Sequence, residues 1–444
     1  MPHRAPENEL FSDHIGQLRR IFAEAVEACG YDSVVIAASQ QRYRFLDDQP
    51  YPFAVNPHFQ WWAPVDNAPG SFLHIEAGSA PSLWFHQPED YWHKPPEMPN
   101  DAWLAEFNVS VIRHPSEAKA LVPAGAVFIG ESFPGIEDWG FREINPSALM
   151  DRLHWARAVK TPYELECMRI AARRGARAHV AAAAAFHRGA SEYGIHLAYL
   201  AAAGHTEAGL PYPNIIALNE GAAILHYTEL QHQSPAERRS FLIDAGAQYR
   251  GYACDITRTH AAAPGGRFGA LMNAMESAEL ALCALVKAGT HYPDIHAAAH
   301  QQVAEILVGE GIVTCSVETA VDSGLTSTFF PHGIGHLLGL QVHDIGGHQA
   351  GPGGGTNPPP SAHRYLRLTR TLEAGTVVTI EPGIYFIDLL LDEAQRDGRG
   401  RDIAWDAVAE LKPFGGVRIE DDVVATTGAP ENLTRDAFAE FSAA

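Results

Sequence analysis

Three histidines occur in one short stretch, FFPHGIGHLLGLQVHD at residues 329–344, and their ring nitrogens could bind a metal ion or transfer protons. His332 and His336 have the i, i+4 spacing of a zinc-protease helix, but that motif needs a glutamate after the first histidine, where this chain has Gly333. Gly333 and Gly335 would each cost a helix about 1 kcal/mol relative to alanine. We therefore predict that this stretch is not a zinc-protease helix and that any metal has its other ligands elsewhere.

Four carboxylates lie in runs that are apolar enough to be buried. They are Asp244 and Asp255 in FLIDAGAQYRGYACDITRT, Glu381 in TVVTIEPGIYF and Glu420 in GGVRIEDDVVA. Buried carboxylates are rare unless they are paired or bound to a cation. Any one of them could be a salt-bridged core acid, but four together with a histidine form an oxygen-rich ligand set. Such a set favours hard or borderline divalent ions, with Mn²⁺ ahead of Zn²⁺ and Co²⁺.

The negative charge of the four carboxylates suits a pair of divalent ions, and such a pair is typical of hydrolases. Four carboxylates carry four negative charges, which two divalent ions neutralise. Two such ions about 3.5 to 4 Å apart can share a hydroxide nucleophile and polarise a substrate oxygen.

The segment between Asp244 and Asp255 predicts a β-hairpin that brings these acids together. With a two-residue turn at Tyr249 and Arg250, the two acids face each other with Cβ atoms about 5 Å apart, which is destabilising without a cation between them. A register shift of two residues would keep both on one face, and a shift of one would separate them. Two solvated hairpin acids remain the alternative.

The amino-terminal part predicts a small α/β domain. Residues 13–30 form an apolar helical face that ends at Gly30, and short apolar runs at 34–39, 82–86, 109–114 and 126–131 predict strands. The aromatic, proline-rich stretch 45–65 is either a packed loop or a lid or partner contact.

A second domain is predicted from about residue 158. Thr161, Pro162 and Glu164 have the pattern of a helix N-cap, first-turn proline and capping box. Further helices are expected near 190–203 and 267–287, and strands near residues 241, 252, 376 and 417. Residues 346–363 contain so much glycine and proline that we expect only a loop there.

Composition limits the classes of partner. The chain has 444 residues and a net charge of -21, which argues against nucleic acid or an anionic membrane surface as partner. No apolar run approaches the roughly 20 residues that span a bilayer. The five cysteines are scattered without a CxxC pair. We expect a soluble, cytoplasmic protein with a small-molecule substrate.

The four motifs FLIDAGA…YACDITRT, FFPHGIGHLLGLQVHD, TIEPGIYF and GGVRIEDD occur in this order, and together they resemble the pita-bread metallopeptidases, specifically the bacterial Xaa-Pro dipeptidases or prolidases. The resemblance covers essentially the whole chain. It implies an α/β (α+β) fold: a small α/β amino-terminal domain, residues 1–157, followed by a pita-bread catalytic domain, residues 158–444, with a curved, largely antiparallel sheet.

The resemblance also implies roles for individual residues. Asp255 and Glu420 would bridge two divalent ions, and Glu381 would also move the proton from the nucleophile to the leaving prolyl nitrogen. The implied metal ligands are Asp244, Asp255, His336, Glu381 and Glu420; the implied catalytic residues are Glu381, His332 and His343; the implied substrate-binding residues are Tyr212, His226, His332, His343 and Arg418.

The implied activity is hydrolysis of Xaa-Pro dipeptides through a hydroxide that bridges the two ions, with organophosphorus triester or fluoridate hydrolysis as side chemistry. The resemblance further implies a homodimer in which a partner-subunit loop, the segment around Asp48 and Trp92, helps to close the cleft. Two alternatives stay open. One is an Xaa-Pro aminopeptidase that acts on longer peptides, and the other is a non-catalytic pita-bread binding protein or a metal-free relative.

Overall fold

The computed structural model describes residues 7–442, which form two compact units. The first extends to Cys167 and includes Gly351–Gly355, and the second comprises Met168–Ala350 and the chain from Thr356 onward. The domain boundary at residue 157 stays a prediction. Among the described residues, no helix is both long and apolar enough to cross a membrane.

The first unit contains a five-stranded mixed sheet in the order β4-β3-β2-β1-β5. The pairs β1-β2 and β2-β3 are antiparallel, whereas β3-β4 and β1-β5 are parallel. The predicted α/β character is therefore confirmed. The elements are β1 Ser33–Ala37, β2 Phe72–Glu76, β3 Ser82–His86, β4 Asn108–Ile112 and β5 Val127–Ile129, with helices α1 Glu7–Cys29, α2 Pro57–Gln60 and α3 Ser147–Arg157.

The aromatic stretch 45–65 divides into two parts with different environments. Trp61 and Trp62 are 1% and 0% exposed, so this half is packed core, as the loop interpretation expects. Phe45 and Leu46 are 89% and 90% exposed. The exposed half is therefore the part available to a partner.

The second unit is built around helices that pack on short strands. Helix α4 begins as predicted, since the Thr161 amide donates to Glu164 Oε2 over 2.8 Å and the Glu164 amide donates to Thr161 Oγ1 over 3.4 Å. The helices are α4 Pro162–His187, α5 Glu192–Ala203, α6 Gly266–Cys283, α7 Tyr292–Gly309, α8 Val317–Asp322, α9 Thr326–Phe329, α10 Asp388–Arg396, α11 Trp405–Leu411 and α12 Leu433–Ser442.

The strands that carry the site pair in antiparallel fashion, in the orders β10-β7-β6, β13-β16-β17, β14-β15 and β8-β9. This agrees with the largely antiparallel sheet that the sequence predicts. The strands are β6 Ile215–Leu218, β7 Ser240–Asp244, β8 Gln248–Tyr249, β9 Tyr252–Ala253, β10 Thr257–Ala261, β11 Gln349–Gly351, β12 Gly354–Thr356, β13 Val377–Ile380, β14 Gly383–Tyr385, β15 Gly416–Arg418, β16 Asp421–Val424 and β17 Glu431–Asn432.

The hairpin register differs from the prediction by two residues. Tyr249 pairs with Tyr252, so the turn residues are Arg250 and Gly251, and Asp244 faces Thr257 rather than Asp255. Both turn residues have positive φ, 51° and 84°, as in a type I′ turn, and glycine at the second position favours this placement. A shift of two keeps both acids on one face, so their expected proximity does not depend on the error.

The sequence predicts only a loop for the segment 346–363, but the structure shows short regular elements there. Strands β11 and β12 and a 3₁₀ turn at Ser361–His363 occur within it. Glycine weakens a strand but leaves its backbone hydrogen-bonding groups intact, so composition alone underestimated the order of this segment.

Candidate active site

Five predicted ligands line one cavity of about 700 Å³ within the second unit. Each of the four acids lies at or just beyond the end of a short strand, where the chain leaves the sheet. Asp244 ends β7, Asp255 lies between β9 and β10, Glu381 follows β13, and Glu420 lies between β15 and β16. The fifth residue, His336, lies in an irregular segment after α9.

The histidine stretch is not helical, which confirms that the zinc-protease motif is absent. Gly335 has φ 153°, and a Cβ there would lie 2.1 Å from Thr379 O, so only glycine fits. The close approach lets the His336 amide donate to Thr379 Oγ1 over 3.1 Å. The His336 ring is therefore positioned by the neighbouring strand β13.

The His336 ring presents its Nε2 atom to the acids. Its Nδ1 donates to Leu337 O over 3.0 Å, a contact that leaves Nε2 to face the acids. Nε2 lies 3.5 Å from Asp255 Oδ2 and 3.9 Å from Glu381 Oε1. A backbone carbonyl on the far nitrogen is the usual way in which a metal-binding histidine is oriented.

The buried centre of the cluster is formed by Asp255, His336 and Glu420, whose ligand atoms lie within 4.8 Å of one another. Tyr212 OH donates to Asp255 Oδ1 over 2.5 Å, and Thr257 Oγ1 donates to Glu420 Oε2 over 2.7 Å. Each of these two acids keeps one oxygen for another partner. Such hydrogen bonds orient carboxylates that bind metal.

Asp244 has one satisfied and one unsatisfied oxygen. Arg418 Nη2 donates to Asp244 Oδ2 over 2.7 Å, whereas Asp244 Oδ1 is buried without a hydrogen-bond partner. A buried, unsatisfied carboxylate oxygen is costly. Since it lies beside three other acids, a bound cation explains it, and the donor set fits a divalent ion.

The electrostatics of the acids also favour a bound cation. Burial raises the pKa of Glu381 to about 7, and burial together with the nearby Asp255 charge raises the pKa of Glu420 well above its usual value. Burial likewise raises the pKa of Asp244. Burial pushes the pKa of Asp255 upward too, but the hydrogen bond and charge of His336 outweigh it and lower the pKa. Without cations, these acids could not all be ionised together.

The predicted substrate-binding residues are near this cluster. His226, His332, His343 and Arg418 line the same cavity, and Tyr212 reaches it through its bond to Asp255. The rings of His336 and His343 contact edge to face, with centroids 4.5 Å apart. The predicted metal ligands, catalytic residues and substrate-binding residues therefore lie in or beside one cavity, whereas Asp48 and Trp92 do not line it.

His332 is held at both ring nitrogens. Nδ1 donates to Gly333 O over 2.8 Å, and Nε2 accepts from Tyr385 OH over 2.8 Å. Burial lowers the pKa of His332 to about 3, so this ring is neutral. To donate to a substrate oxygen, the ring would first have to release Gly333 O.

Sequence reasoning missed Tyr385 and Thr257. Tyr385 OH joins His332 to Arg418, whose Nη1 donates to it over 3.0 Å. A signal for Tyr385 existed, because Glu381, Gly383 and Tyr385 alternate along an extended segment and so share one face. Thr257 carried no such signal, since its partner Glu420 is distant in sequence.

Residues 9–155 match the amino-terminal domain of Xaa-Pro dipeptidase, and residues 166–427 match metallopeptidase family M24. The chain belongs to the Xaa-Pro dipeptidase group of this family. Its Xanthomonas campestris pv. campestris (strain B100) relative, an Xaa-Pro dipeptidase, is 48% identical and the match covers 97% of this chain and 98% of the relative. An Xaa-Pro dipeptidase of Stenotrophomonas maltophilia (strain R551-3) is 46% identical, with 97% of each chain covered.

Solved structures support the pita-bread fold of this M24 enzyme. Pseudomonas aeruginosa aminopeptidase PepP matches with a TM-score of 0.74 at 22% identity, covering 99% of this chain and 100% of that one. Escherichia coli aminopeptidase P with the inhibitor Pro-Leu matches with a TM-score of 0.71 at 23% identity, covering 96% and 98%. These structures show the fold alone. Family membership and the ligand cluster together show that the chain binds divalent metal.

Proposed function

We propose that this M24 enzyme hydrolyses Xaa-Pro dipeptides and releases proline. The observation that carries the proposal is the convergence of four acids and one histidine, from four separate segments of the chain, on one cavity. The curated relatives that span nearly the whole chain are Xaa-Pro dipeptidases, which supports the substrate class. A cavity of about 700 Å³ is ample for a dipeptide.

Two divalent ions, preferably Mn²⁺, would be held by Asp244, Asp255, His336, Glu381 and Glu420. Carboxylate-rich ligation favours Mn²⁺, although Zn²⁺ and Co²⁺ also fit. The unpaired Asp244 Oδ1 and the raised pKa values of Glu381 and Glu420 support the binding of divalent cations at this site. When bound, such ions supply a hydroxide nucleophile at neutral pH and polarise the scissile carbonyl.

The remaining steps belong to side chains of this protein. Glu381 would take the proton of the attacking water and deliver it to the prolyl nitrogen. His343 would stabilise the carbonyl oxygen or bind the proline carboxylate. Arg418 and Tyr385 would hold His332 in one tautomer. His226 would line the cleft with His332 and His343, and Tyr212 would lie near the pocket.

Comparison of Ala-Pro with Ala-Pro-Ala on Mn²⁺-loaded protein tests the substrate class. A kcat/KM at least tenfold higher for Ala-Pro is expected. A clear preference for the tripeptide would favour the alternative, an aminopeptidase, which would agree with the fold shared with aminopeptidase P.

Metal analysis of purified protein tests the other alternative, a non-catalytic binding protein. Less than one tightly held ion per subunit and no gain of activity with Mn²⁺ would favour that alternative.

Organophosphorus triester or fluoridate hydrolysis would be a side activity of the same site, because a tetrahedral phosphorus centre resembles the tetrahedral intermediate of amide cleavage. Competitive inhibition of Ala-Pro hydrolysis by a phosphotriester tests whether both chemistries use one site. Full dipeptidase activity with saturating phosphotriester would separate them.

A homodimer in the cytoplasm would complete the enzyme. Tyr91 and Trp92 are 88% and 77% exposed, and Asp48 is also exposed, so these side chains are accessible to a partner subunit. All five cysteines are free thiols, which is typical of a reducing compartment. Light scattering on wild-type protein and on Trp92→Ala tests the dimer, since a monomeric wild type would contradict it.

A further inference from the structure

A second histidine cluster lies outside the five-residue site. His296 and His300 lie one turn apart on α7, and His363 lies in the 3₁₀ turn Ser361–His363. One ligand atom from each residue lies within 4.8 Å of the others. The ring centroids are 4.7 Å apart for His296 and His300, 4.5 Å for His296 and His363, and 4.6 Å for His300 and His363. Nothing in the proposed dipeptidase mechanism uses these residues.

The two helical rings have nitrogens available for a ligand. His296 is 2% exposed, and its Nδ1 is buried without a hydrogen-bond partner. Leaving such an atom unsatisfied is destabilising. His300 is bonded through Nδ1 to Thr326 Oγ1 over 2.8 Å, which leaves Nε2 for another partner. A hydrogen bond on the far nitrogen is typical of histidines that bind metal.

Protons do not compete for these nitrogens near neutral pH. Burial and the neighbouring histidines lower the pKa of His296 to about 2 and that of His300 to about 4. Burial also lowers the pKa of His363. Neutral imidazoles are the form that binds a metal ion, so the cluster needs no deprotonation before binding.

The cluster borders its own cavity of about 300 Å³, which contains none of the five predicted ligands of the dinuclear site. This cavity has room for a water as fourth ligand, and three histidines plus one water is a common zinc arrangement. The two cavities are neighbours that share Pro331, His332, the segment Arg364–Leu366 and Leu390. An ion at the cluster would therefore act on a wall of the substrate cavity.

We propose that His296, His300 and His363 bind a third divalent ion, Zn²⁺ by preference, which fixes residues 361–366 against α7. Three imidazoles and no carboxylate favour a transition metal such as Zn²⁺ over Mn²⁺, unlike the acidic dinuclear site. Nitrogen ligands of tetrahedral zinc lie about 3.3 Å apart, so ring nitrogens that now lie within 4.8 Å of one another need to approach by up to about 1.5 Å. The half-buried His363 is the ring best placed to move.

Cobalt substitution tests this proposal with a readout that does not depend on catalysis. Metal-free protein is loaded with Co²⁺, and bound metal is counted while the visible spectrum is recorded. Wild-type protein should hold one ion at this cluster, in addition to any ions at the acidic site, and show the intense visible band of tetrahedral Co²⁺. His363→Ala should hold one ion fewer and lose that band. His291→Ala, an exposed histidine at the start of the same helix, is the matched control and should equal wild type.

Equal cobalt content and equal spectra in wild type and His363→Ala would overturn the proposal, and so would a wild-type protein that lacks the tetrahedral band. His363→Cys retains a ligand of another type and should restore the third ion with a shifted band. Hydrogen exchange supplies a second measurement. Zn²⁺ should slow amide exchange in residues 361–366 at least tenfold in wild type but not in His363→Ala, and equal exchange would also overturn the proposal. Because these readouts need no substrate, they are independent of the dipeptidase proposal.

Discussion

Arg418 donates from Nη2 to Asp244 Oδ2 over 2.7 Å, and the same guanidinium reaches Tyr385 OH from Nη1 over 3.0 Å. One planar side chain thus positions both an acid of the proposed metal site and the hydroxyl that fixes His332. A lysine can supply the charge but not this divided geometry.

Arg418→Lys should therefore lower kcat/KM for Ala-Pro by about 10- to 100-fold and weaken metal binding, because a residue that orients metal ligands is lost. Steady-state kinetics and metal titration measure both effects. Arg367→Lys is the matched control, since Arg367 lines the same cavity but is exposed, and its kcat/KM should change by no more than a few-fold. Equal losses of kcat/KM in the two variants would show that the geometry of the Arg418 guanidinium has no special role in activity.

His336 and His332 should respond differently to truncation. His336→Ala should lose both metal and activity, because Nε2 of this ring is directed at Asp255 and Glu381. His332→Ala should keep most of its metal, because both nitrogens of His332 are already bonded within the protein. Its turnover should fall by about 10- to 100-fold. Metal content and kcat are the two measurements.

Tyr385→Phe is a useful companion to His332→Ala, since it removes the hydroxyl that donates to His332 Nε2 but keeps the ring. It should lower kcat in the same direction, by less, without loss of metal. Equal metal loss in His332→Ala and His336→Ala would mean that the ligand assignment is wrong.

The ligand set could be predicted from sequence because each acid stands in an apolar run, where an unpaired charge is improbable. The ligands come together because each acid lies at or just beyond the end of a strand, and this does not depend on the exact strand register. That is why the hairpin error of two residues did no harm, as Asp244 faces Thr257 and still shares a face with Asp255. The turn itself could have been placed by the positive φ that Gly251 accommodates.

Other parts of the site could not be read from the sequence. Spacing shows that His296 and His300 share a helix face, but His363 is 63 residues further along in a segment that composition assigned to loop. Hydrogen bonds between residues distant in sequence, such as that of Thr257 to Glu420, could not be predicted for the same reason. Local patterns record the period of an element, whereas such contacts depend on how elements pack.

Gly335→Ala should be strongly destabilising. The added Cβ would meet Thr379 O at 2.1 Å, and the φ of 153° is strained for any other residue, so a loss of about 3 kcal/mol or more is expected. His336 should be displaced with it, which lowers metal content. The matched control is Gly309→Ala, because a Cβ at Gly309 meets nothing within 4 Å. Thermal unfolding and metal counting compare them, and an unchanged melting temperature in Gly335→Ala would contradict the structure.

Acid should destabilise the metal-free protein through its buried histidines. Burial lowers the pKa of His179 to about 3, and His260 is lowered to about 4 by burial. An ordinary histidine titrates near 6.5, so between about pH 6.5 and pH 3 the unfolded chain binds a proton at His179 that the folded chain does not. The free energy of unfolding therefore falls as pH falls through this window and is unaffected by His179 above it.

His179→Gln should flatten this dependence by up to about 1.4 kcal/mol per pH unit between pH 6 and pH 4, which is the linkage of one proton. Glutamine can still donate toward Ala245 O, the present partner of His179 Nε2 at 2.9 Å. Urea unfolding at several pH values, with chelator present to exclude metal effects, gives the slope. His93→Gln, whose parent side chain is 73% exposed, should keep the wild-type slope. If His179→Gln keeps it as well, then proton uptake at His179 does not contribute to acid unfolding.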